Sequence, residues 1–180
     1  MNSEEFAPEL PETTATISDA YPELEKLKAA NEALREEGKE WLLTTLENIS
    51  DELNRTLAPT TEPPTTPVLQ IGSQDWQFEV EKNVMVGERL GIRYRGQTLV
   101  IEVGWPRTPE HGIVPDLGLA RARVSFSQNV MIDPILLDEL TLRRSPNGEG
   151  VVWLVLVDRT LREQVTDEKL RGYVYRTTTE

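Results

Sequence analysis

Residues 91–105, GIRYRGQTLVIEVGW, constrain the fold more than any other stretch of the chain. Apolar residues alternate at Leu90, Ile92 and Tyr94, then again at Leu99, Ile101, Val103 and Trp105. This period of two predicts two strands, residues 90–95 and 98–104, each with one face turned to a core. The link Gly96-Gln97 opens with the residue that suits the mirror-image turns of tight hairpins. A lone hairpin does not hold together in water, so further strands or a helix must cover its apolar face.

The chain supplies both. From residue 68 onward the period of two recurs at Trp76, Phe78 and Val80, at Val84 and Val86, and at Ala120, Ala122, Val124 and Phe126. Residues 106–118, rich in Pro and Gly, predict a loop, and residues 145–150 (SPNGEG) a turn. The most apolar run, residues 151–157 (VVWLVLV), is expected to be the central strand. Thr160 with Glu163 matches a capping box, which predicts a short helix over 161–171 closed by Gly172. Tyr173, Val174 and Tyr175 then suggest a last strand. Strands separated by turns, with no βα alternation, predict an antiparallel sheet, curled or sandwiched.

Ahead of this region the pattern is helical. Residues 19–58 carry Leu24, Leu27, Leu34 and Trp41, then Leu42, Leu46, Ile49, Leu53 and Leu57, at spacings of three, four and seven. The stripe shifts phase at Trp41-Leu42, and Gly38 lies mid-segment, so the segment reads as one helix or as a helical hairpin. Asn31 and Gly38 fall where a heptad needs apolar residues, which argues against a coiled coil. A continuous helix of this length exceeds the width of a small domain. Its apolar face is expected to pack on another subunit or back on the sheet. Leu24, Leu27, Leu34, Trp41, Leu46, Ile49 and Leu53 are the candidate interaction residues.

Composition divides the chain further. Residues 1–18 hold four Glu, two Pro and no base, the makeup of a disordered acidic tail. Residues 59–67 form a Pro/Thr-rich spacer, expected to be extended, and the domain boundary falls there. The expected class is therefore α+β: a tail (1–18), an amphipathic helical segment (19–58), the spacer (59–67) and an antiparallel β domain (68–180).

Charge narrows the function. Of the net charge of −12, residues 1–62 contribute 15 acids against 5 bases, and residues 63–180 contribute 16 against 14. An acidic chain lacks the basic surface that neutralises phosphates, so nucleic acid is not an expected partner. No apolar run reaches membrane-spanning length, and the acidic, proline-broken start lacks the features of a secretory signal, so a cytoplasmic setting without membrane contact is expected. With no Cys and a single His, no thiolate chemistry, disulfide or zinc site of ordinary ligation is available. No phosphate loop or dinucleotide fingerprint is present, and no cofactor is expected.

His111, with Glu110 and Asp116 near it, is a candidate ligand-binding residue in a constrained loop, although no serine sits in a strand–turn–helix elbow that would make it catalytic. The arginines form the main anomaly. Arg93 and Arg95 share one face of their strand, and Arg121 and Arg123 one face of theirs. Were those strands neighbours, four guanidinium groups would gather, a geometry suited to carboxylate or phosphate. Salt bridges to Glu79, Glu81, Glu88 and Glu102 are the plainer explanation. Arg107 and Trp105 complete the candidate binding set. The expectation is a non-catalytic interaction protein that forms a homo-oligomer or binds a protein partner through its helical segment, while the β domain presents a recognition face. The alternative is a carrier for a small molecule or anion, with its site in the β domain.

Overall fold

The structure, a computed structural model, describes residues 17–57, 69–80, 82–106, 118–129, 131–158 and 160–178. The acidic segment 1–16, the Pro/Thr-rich stretch 59–67 and the loop bearing Arg107 and His111 lie outside the described residues.

The class is α+β. Helix α1 (Ile17–Leu57) leads into strands β1 (Gln70–Val80), β2 (Asn83–Tyr94), β3 (Gln97–Pro106), β4 (Ala120–Ser127), β5 (Ile135–Arg144), β6 (Val151–Val157) and β7 (Thr160–Gln164), and helix α2 (Asp167–Thr178) closes the described chain. The strands form one seven-stranded antiparallel meander in chain order. There is no second sheet among the described residues, so the sandwich does not form. In chain order β6 is penultimate, and β4 takes the central place expected of the VVWLVLV run. That run is apolar on both sides for another reason: Trp153 and Val155 enter the helix-covered core, while Leu156, on the other face, is buried as well.

The hairpin expected over residues 90–105 is present with a shifted turn. Tyr94 pairs with Gln97, so the two turn residues are Arg95 and Gly96, both at positive φ (46° and 91°). Two successive left-handed residues make the mirror-image turn whose twist matches its strands. Arg95 therefore stands at a corner and not on the strand face of Arg93.

Helices α1 and α2 lie on one face of the sheet. Period-two residues from six strands meet them there, among them Leu90, Ile92, Leu99, Ile101, Val124, Leu140, Leu142 and Trp153, in one core with Leu42, Leu46, Ile49 and Leu53 of α1 and Leu170 and Val174 of α2. The residues on either side of the compositional boundary at 59–67 thus share a single core. Asn54 fixes the sheet's start, its Oδ1 accepting the Leu69 N–H at 2.6 Å and its Nδ2 donating to the Leu69 carbonyl at 3.2 Å.

Helix α1 is unbroken at Gly38, and the apparent phase shift has a physical cause. Its buried row runs Asn31, Arg35, Gly38, Leu42, Leu46, Ile49, Leu53, at helical spacings of three and four throughout. The first three members are not apolar, so hydrophobicity does not reveal them. A Cβ at Gly38 would sit 2.5 Å from both Leu142 methyl carbons, and the Gly38 carbonyl accepts a bond from the Trp153 indole at 2.8 Å. The missing side chain lets the helix seat directly on β5 and β6, against a helix-propensity cost of about 1 kcal/mol.

The C-terminal elements differ from the sequence expectation. Residues 160–164 pair with β6 as β7, and the helix begins later, at Asp167. Its cap is Thr166, whose Oγ1 accepts the Lys169 N–H at 3.3 Å, with Asp167 and Glu168 in the first turn at the positive end of the helix dipole. Tyr173, Val174 and Tyr175 are helical: Tyr173 and Val174 face the core one hundred degrees apart, a helical step that over three residues resembles a strand.

Candidate functional site

With the helices on one face, every other residue of each strand projects from the opposite face, which no described helix covers. The antiparallel register sorts these residues into rows across the sheet. One row reads Gln74, Arg89, Glu102, Arg123, Glu139, and the next reads Trp76, Gly87, Gly104, Arg121, Thr141. On the other side lie Gly72, Gly91, Val100, Ser125 and Leu136, then Gln70, Arg93, Thr98 and Ser127.

One end of this face is closed by its own strands. Gly87 and Gly104 pair without side chains, and a Cβ on Gly104 would lie 2.8 Å from the Val86 carbonyl oxygen and 3.1 Å from the Phe78 ring. The bare backbone lets the β1–β2 end curl inward, so that Phe78, Val80 and Met85 form a second small core with Trp76 packed against it. Arg123 ties the curl down: its Nη1 donates to the Glu79 carbonyl at 3.2 Å, its Nε stands 3.6 Å from the Glu102 carboxylate, and its guanidinium lies 5.8 Å from the Phe78 ring centre. Arg121 is 2% exposed beside this cluster.

The other end of the face is open. Gln70, Gly72, Gln74, Arg89, Gly91, Arg93, Thr98 and Val100 line a cleft of about 340 Å³. Two glycines make its floor: a Cβ on Gly72 would meet nothing within 4 Å, and one on Gly91 would meet only the Gly72 carbonyl oxygen, at 3.8 Å. Arg89 stacks over the Trp76 ring at 4.6 Å, which fixes the direction of a long side chain. Among the described residues, neither Arg89 nor Arg93 comes within ion-pair distance of a carboxylate.

The sequence candidates therefore separate. Strand β3 stands between β2 and β4, so Arg93 and Arg95 do not join Arg121 and Arg123 in one cluster. Arg95 lies over the Tyr94 ring at 5.2 Å. Trp105 is on the helix-covered face, flanked by Arg35 at 5.9 Å and Lys39 at 5.8 Å. The helix candidates divide as well. Leu46, Ile49 and Leu53 are buried in the chain's own core, Leu34 packs at its margin, and Leu24, Leu27 and Trp41 are exposed. Arg89, Gly72 and Gly91 were missed, yet the signal was present: Arg89, Gly91 and Arg93 share one strand parity.

On the helix-covered side, the most perturbed groups serve packing. Tyr173 donates to Asp138 at 2.6 Å, and Lys169 reaches both Asp138 and Glu163. Burial, then the hydrogen bond and charge of Asp138, hold the Tyr173 hydroxyl well above its usual range, so it stays a donor and not a nucleophile. Burial works against the charge on Lys169, but Glu163 and Asp138 outweigh it and its pKa is raised. No group of three His, Cys, Asp or Glu positioned for a metal occurs among the described residues, and no described helix is long and apolar enough to cross a membrane. Comparison of the chain with protein-family models, curated proteins and solved structures finds no match.

Proposed function

We propose that the chain is a non-catalytic, cytoplasmic interaction protein that associates with a second copy through the amino-terminal part of α1 and presents the second sheet face for recognition. The observation that carries this reading is the division of α1. From Leu42 to Leu53 its apolar row is consumed by the chain's own sheet, whereas Leu24 and Leu27 are 42% and 51% exposed. At about 1.5 Å per residue the 41-residue helix is roughly 60 Å long, far more than a sheet of this size can cover. Leu24 and Leu27, three residues apart, lie on one side of the helix, an exposed apolar pair that the same surface of a second copy can cover.

Removing the whole helical segment would strip Leu42, Leu46, Ile49 and Leu53 from the core, so the test must spare them. The double variant Leu24→Glu/Leu27→Glu touches only exposed positions. Light scattering behind size exclusion is expected to give a multimer for the natural chain and a monomer of unchanged helicity for the variant. A natural chain that runs as a monomer would overturn the reading.

A second reading, a carrier for a small anion, is favoured by the glycine-floored cleft. Its volume falls in the range of small-ligand sites, and its two arginines have no acidic partner among the described residues.

A further inference from the structure

We propose that the cleft between β1, β2 and β3 binds an amphiphilic organic anion, with a phosphate or carboxylate head between Arg89 and Arg93 and an apolar body directed over Val100 toward Leu136. The inference rests on the second reading above and assigns it a place and a chemistry.

The head site follows from charge and shape together. Arg89 and Arg93 flank Gly91 four residues apart on one strand, so their Cα atoms are roughly 13 Å apart, and both line the cleft. Planar guanidinium groups pair with carboxylate or phosphate through two parallel hydrogen bonds. Arg89 rests on the Trp76 ring, in the row beyond it from the glycine floor, and so stands at the rim of the cleft. The Gly72–Gly91 floor leaves the space that two side chains would otherwise fill, and Gln70, Gln74 and Thr98 supply neutral hydrogen-bonding groups around it.

The apolar direction follows from the register. The row that begins at Gly72 and Gly91 continues through Val100 and Ser125, which are buried, to Leu136, which is 49% exposed. Beyond it, the β4–β5 connection exposes Met131 and Ile132, at 88% and 57%. Ser127 holds this connection close to the row of Arg93 and Thr98, its hydroxyl bonding the carbonyls of Asn129 at 2.6 Å and Ile132 at 3.2 Å. An exposed apolar group beside a cleft whose arginines have no acidic partner among the described residues matches a ligand with one charged and one apolar end. A purely inorganic ion would leave the apolar group unused, and an uncharged lipid would leave the arginines unused.

The test titrates full-length protein with monomeric octyl phosphate, octanoate, octanol and inorganic phosphate by calorimetry, with the fluorescence difference between the natural chain and Trp76→Phe as a local reporter, since Trp41, Trp105 and Trp153 also emit. Octyl phosphate or octanoate is expected to bind at least about tenfold more tightly than inorganic phosphate, because buried methylene groups add affinity, and octanol is expected not to bind. Arg93→Ala, at an exposed position, should weaken binding about tenfold. Gly91→Val keeps both charges, and its Cβ would meet only the Gly72 carbonyl oxygen at an ordinary contact distance of 3.8 Å, so it should fold and still abolish binding by filling the floor. No binding of either amphiphilic anion, or binding that survives Gly91→Val, would overturn the proposal. Binding to phosphatidylserine vesicles without binding to monomeric octyl phosphate would overturn it in favour of a membrane surface. Self-association measured on the same samples reports separately on α1, so failure at the cleft is distinguishable from failure of the interaction reading.

Discussion

The two faces of the sheet differ at every step along its strands. On β3, Leu99, Ile101 and Val103 lie beneath the helices in a continuous apolar core, while Val100, Glu102 and Gly104, between them in sequence, belong to a face of arginines, carboxylates and bare glycine backbone. The covered face is held by burial and by volume matching. The second face is held at one end by a curl built on two glycines, and at its other end it is open. The main core lies on one side, and Arg89 and Arg93, which have no acidic partner among the described residues, lie on the other.

The sharpest way to break this contrast is to cut a cavity in the covered face. Leu46 is fully buried in the main core, and Leu46→Ala is expected to cost about 3 kcal/mol in denaturant-induced unfolding. A loss below about 1 kcal/mol would mean that α1 does not seat on the sheet as described. Next in size is Gly104→Val. Its Cβ would collide with the Val86 backbone and with Phe78, so about 2 kcal/mol should be lost, and the emission of Trp76 should shift as the curl opens.

A smaller effect separates the faces by pH. Tyr173 and Lys169, both on the covered side, have pKa values raised in the folded state. As pH rises above about 10, the unfolded chain releases protons that the folded chain retains, so the unfolded state is favoured. The stabilisation is complete below that pH and falls as pH rises. Denaturation midpoints compared between about pH 9 and about pH 11 should drop, and Tyr173→Phe should flatten the drop. The smallest effect is expected on the open face, where Arg93→Ala should change stability by less than about 0.5 kcal/mol. Equal costs for Arg93→Ala and Leu46→Ala would erase the distinction between the faces.

Much of this arrangement could be read in the chain. Alternation at residues 90–105 and 120–126 located three of the seven strands and their core faces, because apolar residues recur at every second position where each strand meets the helices. The late start of α2 was less legible. TLREQ and DEKLRG have similar local propensities, and only the pairing of Leu161 with Leu156 makes the first of them a strand. The site was half legible. The parity of Arg89, Gly91 and Arg93 is written in the sequence, but a cleft needs the partner glycine, Gly72, which the register alone brings opposite Gly91.

Local pattern therefore determined the class of the protein, the long helix, the hairpin and the polar face of each strand, since these depend on periodicity and turn chemistry within a few residues. The tertiary structure decided which helix positions are buried. Asn31, Arg35 and Gly38 fill the core row because Arg144, Leu119 and Trp153 meet them with hydrogen bonds, at 2.9, 2.9 and 2.8 Å, that no hydrophobicity pattern encodes. It also decided which arginines meet. Strand order placed β3 between the two arginine-bearing strands, leaving Arg89 and Arg93 facing an open glycine floor and Arg121 and Arg123 beside the curl.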